Sequence, residues 1–177
     1  MNLRRRGQPL YWNLLGSRIG ISILNGYKNA ADLLVTHAAE ADPRKLGYPI
    51  LFLYRQHLEL ALKALMRDCR SLFGQQETFP KKHQIDELWE TCRGLFNELS
   101  PGMSSNDEIQ QTTRLIGEFC SLDPTSEAFR YPEDRNGNPH APDVKIALST
   151  VKEVVGKISL LLDCIATDVS TRKDDAF

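Results

Sequence analysis

The sequence predicts an all-α protein, an up-and-down bundle of about five helices with a long ordered loop before the last one. Three observations carry this. Apolar residues recur at helical spacing along most of the chain. No stretch shows the bounded period-two alternation of a strand. The breaks between helical stretches hold Pro, Gly, Asn and Ser, the residues of turns. With 177 residues the chain is one domain's worth and large enough for a real core.

Residues 1–16 read as a lead-in carrying Leu10, Tyr11, Trp12, Leu14 and Leu15. The helical domain spans 17–167. Ser17 is placed as N-cap of a first helix that runs to about Glu40, with Ile19, Ile23, Tyr27, Ala30, Leu34 and Ala38 on its face. Residues 41–47, with Pro43 and Gly47, read as a turn. The central helix follows, Pro49 in its first turn, where a missing N–H costs nothing. Leu51, Tyr54, Leu58, Leu62, Leu65 and Cys69 mark its core stripe, and Phe52, Leu60 and Met66 widen the apolar surface beyond it. That extra surface predicts a two-fold dimer. The third helix has a clean face of Ile85, Leu88, Trp89, Cys92, Leu95, Phe96 and Leu99, and Asp86 and Glu87 suit the positive end of its dipole. Ser105 and Glu108 form a capping box for the fourth helix. Asp143 is placed as N-cap of the last, whose face runs from Val144 to Ile165. Residues 168–177 read as a flexible, charged tail.

Composition narrows the function classes. The net charge of −1 gives no global field toward nucleic acid or membrane. The basic run Arg4-Arg5-Arg6 is a terminal tail. No apolar stretch approaches a membrane span, and no signal-peptide core follows the basic run, so the expected location is the cytoplasm. Cys69, Cys92, Cys120 and Cys164 form no Cys-x-x-Cys pair and read as small buried hydrophobes of a reducing compartment. No carboxylate–histidine set has metal-ligand spacing, so neither metal nor cofactor is expected. Phosphate-binding glycine loops, GxSxG and HExxH are missing from the sequence.

The candidate site starts from a polar ladder on the central helix. Arg55, Glu59 and Lys63 lie four residues apart and stack on one face. Two readings stay open: a solvated face with ordinary ion pairs, or a partly buried network that fixes another segment or binds an anion. The segment 123–143 has no helical period and is long for a connection in a compact domain. Asp123-Pro124 caps one turn, with Ser126 at its third position. Phe129 and Tyr131 anchor an extended strip ahead of Pro132, and Asn136-Gly137 carries a turn from Asp134 to Pro139. Arg130 is placed to meet Glu59, and Asp123 or Asp134 to meet Arg55 or Lys63. His37 and His57 read as partly exposed helix residues. His83, beside Lys81 and Lys82, completes a small cationic cluster able to face phosphate.

Tyr54-Arg55, Glu59-Leu60-x-Leu62-Lys63, the His83–Leu88 helix start and Phe129-Arg130-Tyr131-Pro132-x-Asp134 together resemble a group of bacterial HEPN-like proteins, over roughly residues 48–165. The resemblance implies a helical bundle, often dimeric, linked with toxin–antitoxin, antiviral and RNA-processing systems. Catalytic members cleave RNA without metal, through an Arg-x4-6-His motif on a helix near the dimer axis. Arg135 and His140 match that spacing. Asn136-Gly137-Asn138-Pro139 between them breaks any helix, so the pair falls in a turn and lacks a rigid mount. The expectation is therefore a binding or regulatory module whose site is the cluster Arg55, Glu59, Lys63, His83, Asp123, Ser126, Arg130, Tyr131 and Asp134. Its partners would be a second copy, RNA or a nucleotide, or a protein from a neighbouring gene. The alternatives are a metal-independent endoribonuclease, with Arg130 or Arg135 steadying the phosphorane and His140 or His83 moving the proton, and a structural network with no ligand.

Overall fold

The structure is a computed structural model that describes residues 18–38, 43–75, 81–103, 106–124, 126–131, 133–134, 136–140 and 145–175; of residues 18–22, 43 and 44 only the backbone is described. Five α-helices follow in order: α1 (Arg18–His37), α2 (Pro43–Leu72), α3 (Ile85–Leu99), α4 (Asp107–Ser121) and α5 (Leu148–Asp175). Among the described residues the sole extended pairing is an isolated bridge between Glu133 and Pro139. Helices adjacent in sequence pack together, and α2 also meets α5, so α2 touches α1, α3 and α5.

The core follows from α2's composition. Ile50, Leu51, Tyr54, Leu58, Leu62, Leu65, Met66 and Cys69 are all buried. From α3 come Leu88, Trp89, Cys92 and Phe96, and from α5 Val155, Ile158, Leu162 and Val169. Trp89 and Phe96 meet edge to face at 5.9 Å, and the Trp89 indole N–H donates to Thr113 Oγ1 at 3.0 Å.

Several boundaries differ from expectation. The expected turn over 41–47 is helical from Pro43 onward, so Pro49 lies inside α2. Pro43 takes the first helical position, and burial of Ile50 and Leu51 offsets both Gly47 and the amide missing at Pro49. Asn106 caps α4, its side chain accepting from the Glu108 amide. The expected cap Ser105 lies outside the described residues, as do Ser17 and Asp143. Helix α5 begins at Leu148, residues 145–147 being non-helical. At its other end it continues through the expected tail to Asp175, because Val169 is fully buried and Arg172 donates to Leu99 O at 3.3 Å. No helix among the described residues is long and apolar enough to cross a membrane.

The cysteines divide. Cys69 and Cys92 are buried, Cys120 is half-buried, and Cys164 is exposed, contrary to the reading of all four as buried. Burial pushes the Cys69 thiol up to about 11.

Candidate functional site: a buried ion network beside a polar cavity

The Arg55–Glu59–Lys63 ladder is buried, not solvated: the three residues are 4, 5 and 4% exposed. Their spacing on α2 puts them in line, and two other segments close over them. Arg55 Nη1 donates to Glu59 Oε2 at 2.9 Å, and Lys63 Nζ donates to Glu59 Oε1 at 2.9 Å. Arg55 Nη2 donates to the His83 carbonyl at 2.6 Å, which ties down the approach to α3. Arg55 Nε lies 3.1 Å from Asp123 Oδ2, just past the end of α4. That last contact is an ion pair without hydrogen-bond alignment, for Asp123 Oδ2 is buried and accepts no hydrogen bond. The other Asp123 oxygen accepts from the Ala128 amide at 2.8 Å and so shapes the segment that follows.

His83 completes the network. Its Nδ1 is 2.9 Å from Glu59 Oε1. A carboxylate only accepts, so Nδ1 carries the proton and donates. In the neutral ring Nε2 is then a free acceptor on a side chain that is 66% exposed. Burial pushes the Glu59 carboxyl up, but hydrogen bonds from Lys63, His83 and Arg55 more than offset it and hold Glu59 below the usual carboxylate range. Two cations face two carboxylates. Every nitrogen of the Arg55 guanidinium is engaged, so the ladder braces α2, α3 and the post-α4 segment rather than presenting a charge to an anion.

The expected cluster is therefore brought together in part. Arg55, Glu59, Lys63, His83 and Asp123 form one network. Ser126 sits beside it, buried and with φ of 65°, a conformation that non-glycine residues rarely hold. Arg130 does not meet Glu59. Its Nε and Nη2 both donate to Ser126 O, at 3.0 and 2.6 Å, and its guanidinium lies 5.4 Å from the Tyr131 ring centroid. Asp134 stays local: its carboxylate accepts from the Asn136 and Asn138 amides and the Asn138 side chain, with Gly137 at φ of 80°. Asn138 holds the Asp134 carboxyl below its usual range.

The strip at 129–131 is a tight turn, because the Arg130 and Tyr131 amides both donate to Glu127 O. Phe129 anchors it, packed on Phe119 at 6.2 Å and Tyr48 at 6.5 Å. Tyr131 does not anchor it, being 54% exposed. Of the Arg-x4-His pair, Arg135 lies outside the described residues, and His140 is half-buried after the Asp134 turn, off any helix, its Nε2 without a hydrogen-bond partner.

Next to Arg55 opens a cavity of about 250 Å3, lined by Arg55, Gln84, Asp86, Phe119, Asp123 and Ser126 among others. The sequence reading missed Gln84, Asp86 and Phe119 as site residues. Asp86 had registered solely as a helix-start residue, and Phe119 as core. Cys120 also lines the cavity, and burial pushes its thiol up to about 11, so it stays neutral. The described residues hold no group of three or more side chains able to bind a metal.

A second buried set lies across α2. His57 is 2% exposed, not partly exposed as its position suggested. Its Nδ1 donates to Leu24 O at 2.9 Å and its Nε2 lies 2.8 Å from Ser159 Oγ. Ser159 Oγ also lies 2.7 Å from Val155 O. Burial holds the imidazole below its usual range. Nearby, the Tyr54 hydroxyl donates to Asp32 at 2.6 Å, and Lys28 pairs with the same carboxylate at 2.7 Å.

Comparison of the chain with protein-family models, with curated proteins and with solved structures gives no match.

Proposed function

We propose that this chain is a HEPN-like binding or regulatory module, acting as a homodimer and associated with RNA in a system of the toxin–antitoxin or antiviral kind, without robust catalysis of its own. The observation that supports it is the closed ion network. Its cations are compensated by Glu59 and Asp123, which suits a scaffold that shapes a neighbouring cavity better than a centre that steadies a phosphorane. Purified protein incubated with mixed RNA in EDTA is expected to retain RNA, or a protein from a neighbouring gene, and to leave the RNA intact. Metal-independent cleavage that disappears in His140→Ala rejects this reading.

One contact favours a second reading, a metal-independent endoribonuclease. Glu59 orients His83 through Nδ1 and leaves Nε2 toward solvent, the arrangement of a carboxylate-held general base. Under that reading His83→Ala abolishes EDTA-resistant cleavage while thermal stability stays near that of the parent. If no RNA, nucleoside or protein partner binds, the network is structural alone.

A further inference from the structure

His57 sits on α2, the helix that packs against both α1 and α5, and it is 2% exposed. Its ring joins all three. Nδ1 is 2.9 Å from Leu24 O on α1, and Nε2 is 2.8 Å from Ser159 Oγ on α5. A carbonyl only accepts, so Nδ1 carries a proton in every state that keeps the Leu24 bond. The state of Nε2 is then decided by Ser159.

A hydroxyl has one proton to give and two lone pairs. Ser159 Oγ is buried, and two acceptors lie within its reach: His57 Nε2 at 2.8 Å and Val155 O, one turn back, at 2.7 Å. It donates to one of them at a time. Donated to Nε2, its proton fits a neutral imidazole. Donated to Val155 O, it leaves a lone pair of Oγ facing Nε2, which fits an imidazolium with a proton on each nitrogen. Both states leave the two ring nitrogens and the hydroxyl bonded, and the same heavy-atom positions serve both. A buried polar group left without its partner would cost far more than the rotation of one hydroxyl.

We infer that His57 and Ser159 form a buried proton switch: His57 takes a second proton from solvent at Nε2 inside the folded bundle, the Ser159 hydroxyl turns from the ring to Val155 O, and α1, α2 and α5 stay joined. The site gains one positive charge. Lys28 and Asp32 face it from α1, and Asp163 faces it from α5. Lys152 of α5 bonds Asp32 O, and the Tyr54 hydroxyl on α2 donates to the Asp32 carboxylate. Burial opposes the cation most, and Lys28 adds to that; Leu24 O, Asp163 and Asp32 favour it. Burial wins, so the switch works on the acid side of the ordinary 6.5.

The test follows the imidazole nitrogens of the full chain by nuclear magnetic resonance as pH is lowered, with His57→Gln identifying the His57 signals among the four histidines. Near neutral pH, His57 is expected to show a protonated Nδ1 and a bare Nε2. Below pH 6.5, Nε2 is expected to gain its proton while the backbone amide spectrum stays that of the folded chain. Ser159→Ala removes the partner of Nε2 in both states. A hydrogen bond from a charged donor is roughly twice as strong as a neutral one, so the cation loses more, and the proton affinity of His57 should fall about threefold or more. Ser159→Cys keeps the shape with a thiol that is a weak donor and a weak acceptor. It should shift the midpoint the same way by less, and it supplies the reading if the alanine variant does not fold. A bare Nδ1 with a protonated Nε2 at neutral pH overturns the switch. A His57 that stays neutral until the folded spectrum is lost overturns it as well. So does a midpoint unmoved in the Ser159 variants that fold, because the ring would then titrate without the hydroxyl.

Discussion

Glu59 shows how a position that is ordinary in sequence becomes costly to change once buried. It is 5% exposed and accepts from Arg55, Lys63 and His83. Removing it leaves two buried cations facing each other, a loss of about 3–5 kcal/mol, whereas an exposed pair is worth under about 1. Glu59→Ala is therefore expected to lower the urea midpoint strongly. Combined with Arg55→Ala it should cost less than the sum, because Arg55 Nη1 touches Glu59 at 2.9 Å. Combined with Arg130→Ala it should be additive, because Arg130 bonds Ser126 O instead. Strictly additive losses in the first cycle would remove the network. His57 supplies a pH dependence of opposite chemistry. Burial keeps it neutral, with Lys28, Asp32 and Asp163 the nearby charges, so its folded pKa lies below the ordinary 6.5. The unfolded chain then takes up the proton first. This contribution is complete above pH 6.5 and is lost as pH falls from there to the depressed native value. Glu59, also depressed, adds its own loss lower down, below the ordinary 4.5. Chemical denaturation across this range should show the upper limb flatten in His57→Gln and the lower limb flatten in Glu59→Gln.

Helix α5 carries the element-scale prediction. Residues 168–177 look dispensable in sequence, being mostly charged or hydroxylic. In the fold Val169 is fully buried, and Lys173 reaches Asp68 at 3.5 Å. Deleting from Asp168 onward is expected to cost about 1.5–3 kcal/mol for the valine alone, and hence several degrees in melting temperature. Val169→Ala should reproduce part of that loss, and an unchanged thermal transition by circular dichroism would show that the tail carries no core contact. The helices were legible because their apolar residues keep helical phase: Ile85 to Phe96 is buried as the spacing requires. Element ends were not, since a single valine fixes the end of α5 and Pro43 the start of α2. The ladder's members could be read from spacing, but its burial could not, because that depends on the His83 carbonyl and Asp123 arriving from distant parts of the chain. The cavity was invisible for the same reason. Asp86 and Phe119 lie far apart in sequence and meet across a loop geometry set by Asp123 and the positive φ of Ser126.

At the scale of the whole molecule the open question is how its remaining apolar surface is covered. Part of the surface expected to form a dimer lies inside the protomer: Met66 is 2% exposed, and Phe52 packs partly against the core. Among the described residues the large apolar side chains that stay exposed are Leu33 at 62% and Ile23 at 42% on α1, Tyr48 at 40% on α2, Tyr131 at 54% after α4 and Leu160 at 67% on α5. Leu33 and Ile23 lie on α1, whereas Leu160 lines a groove between α4 and α5 with Leu115, Leu161 and Cys164. A two-fold interface is self-complementary, so each of these residues would count twice, against the roughly 800 Å2 per partner that a stable interface buries. The proposed homodimer is thus expected to use the exposed apolar residues of α1 or those of the α4–α5 groove, with α2 contributing less than its sequence suggests. Light scattering at micromolar concentration and moderate salt should give twice the 20.1 kDa of the chain. Leu33→Glu with Leu160→Glu should halve that mass and leave the far-ultraviolet helical signal unchanged, because both side chains are exposed in the protomer. A monomer mass for the unsubstituted chain would remove the dimer. A dimer that survives both substitutions would move its interface to another face, away from Leu33 and Leu160.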